Sequence, residues 1–425
     1  MLSIMLIAFA ILMIIGQPIG FALGISAFIA ILMGGSVPLQ IIPQRMAGGL
    51  DSFPLLAVPF FMLCGELMEA GGLTPRLVRF ATCLVGHLRG GLAHVAILAS
   101  LIFAGISGSA VADATATGSI MVPLMKKRGY DGAYAACIEA SSSAIGPILP
   151  PSILMIVYAA TCDLSVGEMF LGGVLPGILI AIGLMVYNQI YSMKHGYGGE
   201  ARASLRELGI ATVHAIPALI MPAIILGGIV SGVFTATEAG CVAAVYSAFV
   251  GVFVYRELKF RDLEEVFVRT ASTTSMVMLI LASCSIFSWI LAVKQFPAFV
   301  SNLLLTMSNN PHVVLALIMA VLVIVGLFME TLAAAIILIP VLSPICSQFG
   351  FDPIHFAVVV VMTFILGTIT PPVGVLLYIT TSIAEEDLAK VARKIIIPVL
   401  IVAGVCVLAA YYPPVVTAIP NLFFK

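Results

Sequence analysis

Charge is scarce in this chain, and that scarcity sets the class of protein. Asp, Glu, Lys and Arg together make up 9% of the 425 residues, whereas a soluble globular domain carries about 25%. Hydrophobic residues account for 61%, and the mean hydropathy is +1.19. The net charge is −1, so no basic excess indicates a nucleic-acid partner. We therefore expect an all-α integral membrane protein with several spans.

Basic residues are missing from two regions where their absence is informative. The first Lys or Arg is Arg45, so residues 1–34 lack the basic n-region of a cleaved signal peptide and are expected to be membrane-embedded. Residues 295–389 contain no Lys or Arg at all. Because Lys and Arg accumulate in cytoplasmic loops, the loops within 295–389 are predicted to lie outside.

Signatures of cysteine chemistry and of ATP use are also missing. The eight Cys residues are scattered without a CxxC and are not paired by spacing with a His cluster. We therefore expect neither a disulfide framework nor a cysteine metal site, and the cysteines are interpreted as small apolar fillers. The chain has no GxxxxGK[ST] loop, so nothing in it predicts a nucleotide as the energy source.

The sequence contains an internal repeat. Residues 105–151 and 326–372 align without a gap at an offset of 221, with eleven identities in 47 positions. Most of the shared residues are Gly or Pro, which dictate the path of the backbone. The pairs are Gly105/Gly326, Pro123/Pro344, Gly129/Gly350, Asp131/Asp352, Gly146/Gly367, Pro150/Pro371 and Pro151/Pro372, with Ala112, Ala114, Ala136 and Ile148 also recurring. A duplicated set of helix breakers in an apolar chain is typical of secondary transporters.

Apolar segments of about 17–25 residues predict membrane spans. The predicted spans are 2–34 (one broken helix or two short ones), 54–70, 168–192, 209–230, 235–255, 270–293 and 395–412. Around the duplicated motifs, Gly and Pro interrupt the apolar runs 91–125, 132–161, 311–347 and 353–382. Residues 38–50 and 76–90 mix charged with apolar positions and are expected to lie at the interface.

Two of the interrupted runs are predicted to be re-entrant hairpins that enter from opposite sides. Basic residues flank the run 91–125 at both ends, namely Arg76, Arg79 and Arg89 before it and Lys126, Lys127 and Arg128 after it. Its ends are therefore expected in the cytoplasm, whereas 311–347 is expected to enter from outside. The predicted fold is a polytopic helical bundle with two inverted repeats, each containing a hairpin and a broken helix, as in elevator-type transporters.

These repeats suggest a division of the chain into five parts. We predict N-terminal scaffold and interfacial arm helices over 1–83 and a first transport repeat over 84–167. Central scaffold helices would follow over 168–304, a second transport repeat over 305–382, and a C-terminal scaffold helix over 383–425.

Four interrupted points define a candidate site. They are the hairpin tips Gly105–Ser109 and Gly326–Thr331 and the helix breaks Gly146–Pro151 and Gly367–Pro372. Non-helical backbone survives in hydrocarbon only where protein or a water-filled cavity satisfies it. Unwound carbonyls and hydroxyls are hard oxygen ligands for a small cation, so each tip is paired with its break as one Na⁺ site. The alternative is that these are proline kinks tolerated for packing.

Several charged residues near these points have competing interpretations. Asp131 and Asp352 are predicted to be N-caps, and Asp113 is expected to cap or to bond neighbouring hydroxyls. Glu330 is interpreted as a residue that either faces the substrate or an ion, or packs. Lys294 either attracts a substrate carboxylate or a partner protein, or simply snorkels. Weaker candidates for bonds between the repeats are Glu66, Glu139 and Glu238.

A serine hydrolase and a channel are alternatives to a carrier. Gly105-Ile-Ser-Gly-Ser109 is similar to the nucleophile loop of intramembrane serine proteases, which need a His base. His87 and His94 precede the same hairpin, but Phe328 stands where Ser107 would recur. The repeat therefore favours a carrier over a hydrolase. A channel stays open as a further alternative.

With these motifs the chain resembles the DctM-type large permease subunit of TRAP (tripartite ATP-independent periplasmic) transporters, over essentially its whole length. The most specific segments are Gly105–Asp113, Pro147–Ser152, Thr235–Ala239, Gly350–Pro353 and Thr370–Gly374. The resemblance implies a sodium-driven importer of an organic acid in the bacterial inner membrane, working by an elevator mechanism. It further implies two partners, a small four-helix membrane subunit (DctQ type), expected as a separate chain, and a periplasmic substrate-binding protein (DctP type).

The resemblance also implies roles for individual residues. One Na⁺ would be held by Ser107, Gly146, Leu149 and Pro151. The second would be held by Gly326, Gly367, Thr370 and Val373, mostly through backbone carbonyls. Ser109 and Glu330 would face the substrate; the family often has Asp at the latter position, so Glu330 is a departure. Sialic acids, C4-dicarboxylates, keto acids and sugar acids all remain open as substrates, as does a related carrier that works without a binding protein.

Overall fold

The first part of the chain forms short helices before the first hairpin. The computed structural model describes residues 1–34 and 37–424, and within them all regular secondary structure is helical. Instead of one long broken helix, residues 2–34 form two short helices, separated by Gly16 and Pro18. The first five helices are α1 (Leu2–Ile14), α2 (Ile19–Gly34), α3 (Ile41–Leu50), α4 (Ala57–Ala70, preceded by the 3₁₀ turn Phe53–Leu56) and α5 (Leu73–Val85).

The first repeat contains the predicted hairpin and broken helix. Three helices form the hairpin, α6 (Gly91–Ser107), α7 (Ala110–Ala116) and α8 (Gly118–Lys127). The broken helix consists of α9 (Gly132–Ser143) and α10 (Ile153–Cys162). Between the repeats lie α11 (Val166–His195), α12 (Leu205–Val230), α13 (Ala236–Phe249, continued by the π-helical Val250–Val254), α14 (Asp262–Val293) and α15 (Phe296–Met307).

The second repeat has the same parts. Its hairpin is formed by α16 (Pro311–Phe328) and α17 (Thr331–Gln348), and its broken helix by α18 (Pro353–Ile369) and α19 (Val375–Ala384). The chain continues with α20 (Leu388–Lys394), α21 (Ile396–Tyr411) and α22 (Pro414–Phe424). Within the described ranges, seven helices are long and apolar enough to cross a membrane, or eight if α20 and α21, bent by 49°, count as one span.

Carboxylates start both broken helices, as predicted. The Asp131 side chain accepts a hydrogen bond from the Tyr134 amide at 2.9 Å, and the Asp352 side chain accepts one from the His355 amide at 2.8 Å. Such N-caps satisfy backbone donors that have no partner within the helix. The interpretation of both residues as N-caps is confirmed.

Contacts between the repeats fit their inverted orientation. Lys126, at the base of the first hairpin, donates to the Ala384 carbonyl at 2.5 Å, where the second broken helix ends. Cys162, at the end of the first broken helix, lies beside Ser343, near the base of the second hairpin. The base of each hairpin therefore meets the far end of the other repeat's broken helix, as two antiparallel repeats require.

Much of the packing falls within two groups of helices, which meet where α6 packs on α4 and α5 and where α17 packs on α14. In the first group α14 packs against α2, α3 and α4, α13 packs against α4, and α12 packs against α5. In the second group α9 packs against α19, α16 packs against α18, and α11 packs against α6, α10, α18, α21 and α22. The long helix α11 thus contacts the first hairpin and both broken helices directly, and α21 contacts both broken helices through α9 and α18. The five-part division of the chain stays a prediction.

Candidate functional site

The tip of the first hairpin lies directly on the first helix break. Gly108 has φ +60°, a left-handed conformation that favours glycine. A Cβ built on Gly108 would lie 3.0 Å from the carbonyl carbon of Pro151 and closer still to its oxygen. A Cβ on Gly146 would lie 3.3 Å from the Ala110 nitrogen. The tip and the break are therefore in backbone contact, as the paired prediction requires.

The predicted ligands of the first ion site lie along this junction. Ser107 ends α6 and is 6% exposed, and its hydroxyl is 3.4 Å from the Ser109 amide. Pro151 presents its carbonyl oxygen to Gly108. The Leu149 side chain packs against Gly177 on α11. Because this side chain is a hydrocarbon, only the backbone oxygen of Leu149 could bind a cation.

The second tip and break are equally close. A Cβ built on Gly367 would lie 2.7 Å from the Gly326 Cα and 2.9 Å from the Val323 carbonyl oxygen. A Cβ on Gly326 would lie 2.8 Å from the Phe364 oxygen. The two helices α16 and α18 therefore cross at paired glycines, which bring backbone carbonyls close together.

Beyond this crossing, the chain turns sharply around Gly374. Its φ is +44°, and a Cβ there would lie 2.8 Å from the Thr368 oxygen and 3.0 Å from the Thr370 oxygen. The Thr370 hydroxyl donates to the Leu366 carbonyl at 2.6 Å, which leaves its own carbonyl oxygen at the break. Val373, the remaining predicted ligand, adjoins Gly374 and is 42% exposed.

Both junctions have the chemistry of a site for a hard monovalent cation. They expose carbonyl oxygens where helices are interrupted, and small hard cations prefer oxygen ligands. Within residues 1–34 and 37–424 there is no group of three or more His, Cys, Asp or Glu side chains that could hold a metal ion. Carbonyls and hydroxyls are therefore most of the oxygen ligands at these junctions, and Glu330 adds one carboxylate at the second tip.

A cavity of about 590 Å³ lies between the junctions and the first helix group. One wall is formed by the hairpin tips and the residues at the two helix breaks, including Ser109, Pro147, Glu330, Thr331 and Thr368. The opposite wall comes from α4 and α14, including Met62, Glu66, Glu69, Arg269 and Thr273. The cavity therefore lies at the boundary between the two groups of helices.

The two residues predicted to face a substrate do line this cavity, at equivalent positions of the repeats. Ser109 and Glu330 are separated by the repeat offset of 221 residues. Each is the N-cap of the helix that follows its tip, since Ser109 accepts from the Ala112 amide at 3.3 Å and Glu330 from the Ala333 amide at 2.9 Å. The structure thus brings together the two candidates that sequence reasoning placed in a common cavity.

Lys294 lies elsewhere. It ends α14, is exposed, and is not among the residues that line the cavity. The basic residue that lines the cavity is Arg269, near the other end of α14, where it pairs with Glu265. The sequence did not predict Arg269 or Glu69 as cavity residues. Both charged side chains lie at the ends of α4 and α14 that are predicted to be near the cytoplasm.

The weaker predictions for bonds between the repeats need correction. Glu238 forms a capping box with Thr235 at the start of α13, and its carboxylate accepts from the Thr235 amide at 2.8 Å. Glu139 bonds Thr117 within the first repeat. Glu66 lines the cavity instead. Glu238 and Glu139 thus bond partners close to them in the chain or within the same repeat, and neither forms a bond to the other repeat.

The geometry does not support a serine hydrolase. His94 lies thirteen residues before Ser107 on the same helix, a separation of about 20 Å along the axis. Its ring faces Gln189 at 3.2 Å. A general base must lie within hydrogen-bonding reach of the nucleophile, and His94 does not.

Substitution of Glu330 tests whether uptake needs the carboxylate at the second hairpin tip. We expect Asp at this position to keep most uptake, because a shorter carboxylate still caps a helix. Alanine removes both the cap and a charged acceptor, a loss of about 1.5–3 kcal/mol, which corresponds to roughly tenfold to hundredfold slower uptake. Uptake assays of E330D and E330A check this, and equal uptake by both variants would contradict it.

Comparison with known proteins identifies the relatives of this chain. The family described as "Tripartite ATP-independent periplasmic transporter, DctM component" matches residues 6–415. The sialic acid TRAP transporter large permease protein SiaM of Vibrio cholerae is 39% identical, with 97% of this chain and 96% of that one covered. The C4-dicarboxylate TRAP transporter large permease protein DctM of Pseudomonas aeruginosa is 38% identical, with 94% of both chains covered.

Two further comparisons extend this result. The 2,3-diketo-L-gulonate TRAP transporter large permease protein YiaN of Escherichia coli is 37% identical over 95% of both chains. The crystal structure of the YdaH transporter of Alcanivorax borkumensis superposes with a TM-score of 0.63 at 12% identity, covering 88% of both chains, which shows a shared fold. With inverted hairpins, paired breaks and near full-length relatives, the chain is a multi-pass membrane transport protein, not an enzyme, and belongs to the DctM family of TRAP transporter large permeases.

Proposed function

We propose that this permease imports a small organic acid across the bacterial inner membrane, driven by two Na⁺ and working by an elevator mechanism. The observation that carries the proposal is the pair of tip-and-break junctions, equivalent under one offset, that form one wall of a single cavity. Its relatives are named for sialic acid, C4-dicarboxylate and 2,3-diketo-L-gulonate, all organic acids. The substrate class follows from these names.

The two helix groups supply the parts that an elevator needs. We assign α6–α11 and α16–α22 to a moving unit, because α11, α21 and α22 pack on the hairpins and broken helices. This assignment differs from the sequence-based division, which placed α11 and α21 in the scaffold. The static unit comprises α2–α5 and α12–α14, and the cavity lies between the two units.

In the described conformation the cavity faces inward. Its charged rim is formed by Glu66, Glu69 and Arg269, at the ends of α4 and α14 that the positive-inside rule assigns to the cytoplasm. A sliding of the moving unit toward the outside would expose Ser109 and Glu330 to a binding protein. We propose that a DctP-type protein delivers the acid there and that a DctQ-type subunit supports the static unit.

Sodium coupling provides enough free energy for accumulation. One charge that crosses 100 mV gains about 2.3 kcal/mol, and two Na⁺ with one monoanion carry a net charge of +1. Each tenfold ion gradient adds about 1.4 kcal/mol per ion. Each ion would be bound by the carbonyl and hydroxyl groups at one junction. Closure of the two junctions around their ions would order both hairpin tips beside the substrate.

Replacement of Na⁺ by K⁺ tests the proposal. We expect proteoliposomes containing the permease, its small subunit and its binding protein to take up the cognate acid with Na⁺ and to lose uptake with K⁺, because the larger ion does not fit the same oxygen ligands. Uptake that is unchanged by the replacement would defeat sodium coupling. Omission of the binding protein should also abolish uptake; persistent uptake would instead favour a carrier that works alone.

A further inference from the structure

Two carboxylates that are not among the proposed ion ligands lie buried together inside the moving unit. Asp113 on α7 and Glu139 on α9 are both 0% exposed. The hydroxyl of Thr117 joins them, at 3.1 Å from Asp113 Oδ1 and in contact with Glu139 Oε1. Gly118 leaves room for the second carboxylate, since a Cβ there would lie 3.1 Å from Glu139 Cγ.

Four polar atoms around this pair have no hydrogen-bond partner. They are Asp113 Oδ2, Glu139 Oε2, Ser100 Oγ and Ser143 Oγ. The Ser100 and Ser143 hydroxyls face the Asp113 carboxyl, and both side chains are 0% exposed. Buried polar atoms are normally bonded, and two hydroxyls that face Asp113 Oδ2 still leave Glu139 Oε2 without a donor.

The Thr117 hydroxyl has too few hydrogens to bond both carboxylates when both are ionised. Thr117 Oγ1 approaches three acceptors, namely the Asp113 carbonyl at 2.7 Å, Asp113 Oδ1 and Glu139 Oε1. A hydroxyl has one hydrogen, and an ionised carboxylate has none. One additional hydrogen, carried by a Glu139 carboxyl oxygen, would let Glu139 donate to Thr117 while Thr117 donates to Asp113.

No cation in the described residues compensates the pair. The titratable groups on the helices that pack against α7 and α9 are His94 on α6, Lys126 and Lys127 on α8, Tyr134 and Cys137 on α9, Tyr378 on α19, Lys390, Arg393 and Lys394 on α20, Glu168, Tyr187, Tyr191, Lys194 and His195 on α11, and Cys406 and Tyr411 on α21. Lys394 pairs with Asp131 at 2.9 Å, and Lys390 is 3.9 Å from Glu386. His94 faces Gln189, Lys126 bonds the Ala384 carbonyl and Tyr134 bonds Asn188. None of these groups hydrogen bonds or ion-pairs with either carboxyl. Isolated buried charges of one sign are neutralised rather than left bare.

The cluster is not needed to build the repeat. The residues of the second repeat at the offset of 221 are all apolar: Val321 for Ser100, Ala334 for Asp113, Leu338 for Thr117, Val360 for Glu139 and Phe364 for Ser143. Ala334, Val360 and Phe364 are buried. The same architecture thus packs with apolar side chains, which points to a role other than folding for the polar set.

Only helix α7 separates the pair from the cavity. Val111, Ala112 and Thr115 on this helix line the cavity, whereas Asp113 is on its buried side. We propose that Asp113 and Glu139 form a proton-binding site, which shares one proton between the two carboxyls and must be occupied for the transport cycle to proceed. This inference rests on the proposed function, because it assumes that the tip moves during transport.

The pH dependence of uptake tests this site. With a fixed Na⁺ gradient and equal pH on both sides, uptake by the wild type should fall at alkaline pH, with a limiting slope of about tenfold per pH unit for one required proton. In Glu139→Gln, the side-chain amide can donate a hydrogen bond to Thr117 at every pH. This variant should therefore keep its uptake at the alkaline pH where the wild type loses it. The exposed control Glu264→Gln should retain the wild-type slope. An alkaline fall in E139Q equal to that of the wild type would overturn the proposal.

A second readout does not depend on transport. Infrared difference spectra of the purified permease between neutral and alkaline pH should show the loss of a protonated-carboxyl band in the wild type that is missing in E139Q. If that variant does not fold, D113N/E139Q serves in its place. A wild type without this band would refute proton binding. Uptake by the wild type that does not change with pH, together with cluster variants that need more Na⁺, would also refute it and would indicate a sodium site. Failure of sodium coupling would leave the infrared result unaffected.

Discussion

Alanine at Gly108 is expected to abolish uptake. The residue has a left-handed φ of +60°, and a Cβ there would overlap the carbonyl group of Pro151. The overlapped atoms are backbone, so neither side of the junction can yield by a change of rotamer. A tip displaced from the break would lose the carbonyl ligands of the first ion site. Uptake by G108A in proteoliposomes checks this expectation.

Gly129 provides a matched control for that substitution. Its φ is +82°, but nothing lies within 4 Å of a Cβ built there. G129A therefore carries the same class of backbone strain, of order 1–3 kcal/mol, without any contact at the ion site. We expect G129A to be less stable but active when folded. Equal loss of uptake in both variants, with both folded, would show that strain and not the junction explains G108A.

Alanine at Gly367 is expected to raise the Na⁺ concentration needed for half-maximal uptake by at least about tenfold, an affinity loss of about 1.4 kcal/mol. The new methyl group would meet Gly326 Cα at 2.7 Å and the Val323 oxygen at 2.9 Å. The helices α16 and α18 must then separate, and overpacking of this kind costs about 1–3 kcal/mol. The carbonyls proposed to bind the second ion would move apart with them.

Gly404 on α21 is the control for this second substitution. It is also helical, and no atom lies within 4 Å of a Cβ built on it. Alanine is favoured over glycine within a helix by roughly 0.5–1 kcal/mol, so G404A should be at least as stable as the wild type and need no more Na⁺. The second-site assignment fails if G367A keeps the wild-type Na⁺ dependence.

Backbone-dictating residues made much of the fold predictable from the sequence. The duplicated Gly and Pro residues locate both tips and both breaks, and Asp131 and Asp352 mark where the broken helices begin. These are local effects, since a cap or a proline acts within a few residues of its position. The pairing of each tip with its own break followed from the repeat.

Long-range packing was less accessible. The placement of α11 against both repeats depends on which faces of long, nearly uniform apolar helices meet, and their hydrophobic pattern contains little information about this. Arg269 reaches the cavity because α14 packs along α4, which no motif near Arg269 reveals. Lys294, chosen for being an isolated charge, lies at the exposed end of α14. The buried Asp113–Glu139 pair becomes visible only when two helices are brought together.

Sided labelling tests the inverted arrangement of the repeats most directly. Lys127 and Ser347 lie in exposed positions at the bases of the first and second hairpins. Single cysteines there, in a background without other reactive cysteines, would be treated with an impermeant maleimide in sealed vesicles of known orientation. We expect K127C to react from the cytoplasmic face and S347C from the outer face. Reaction of both cysteines from one face would contradict the antiparallel repeats, and with them the paired ion sites.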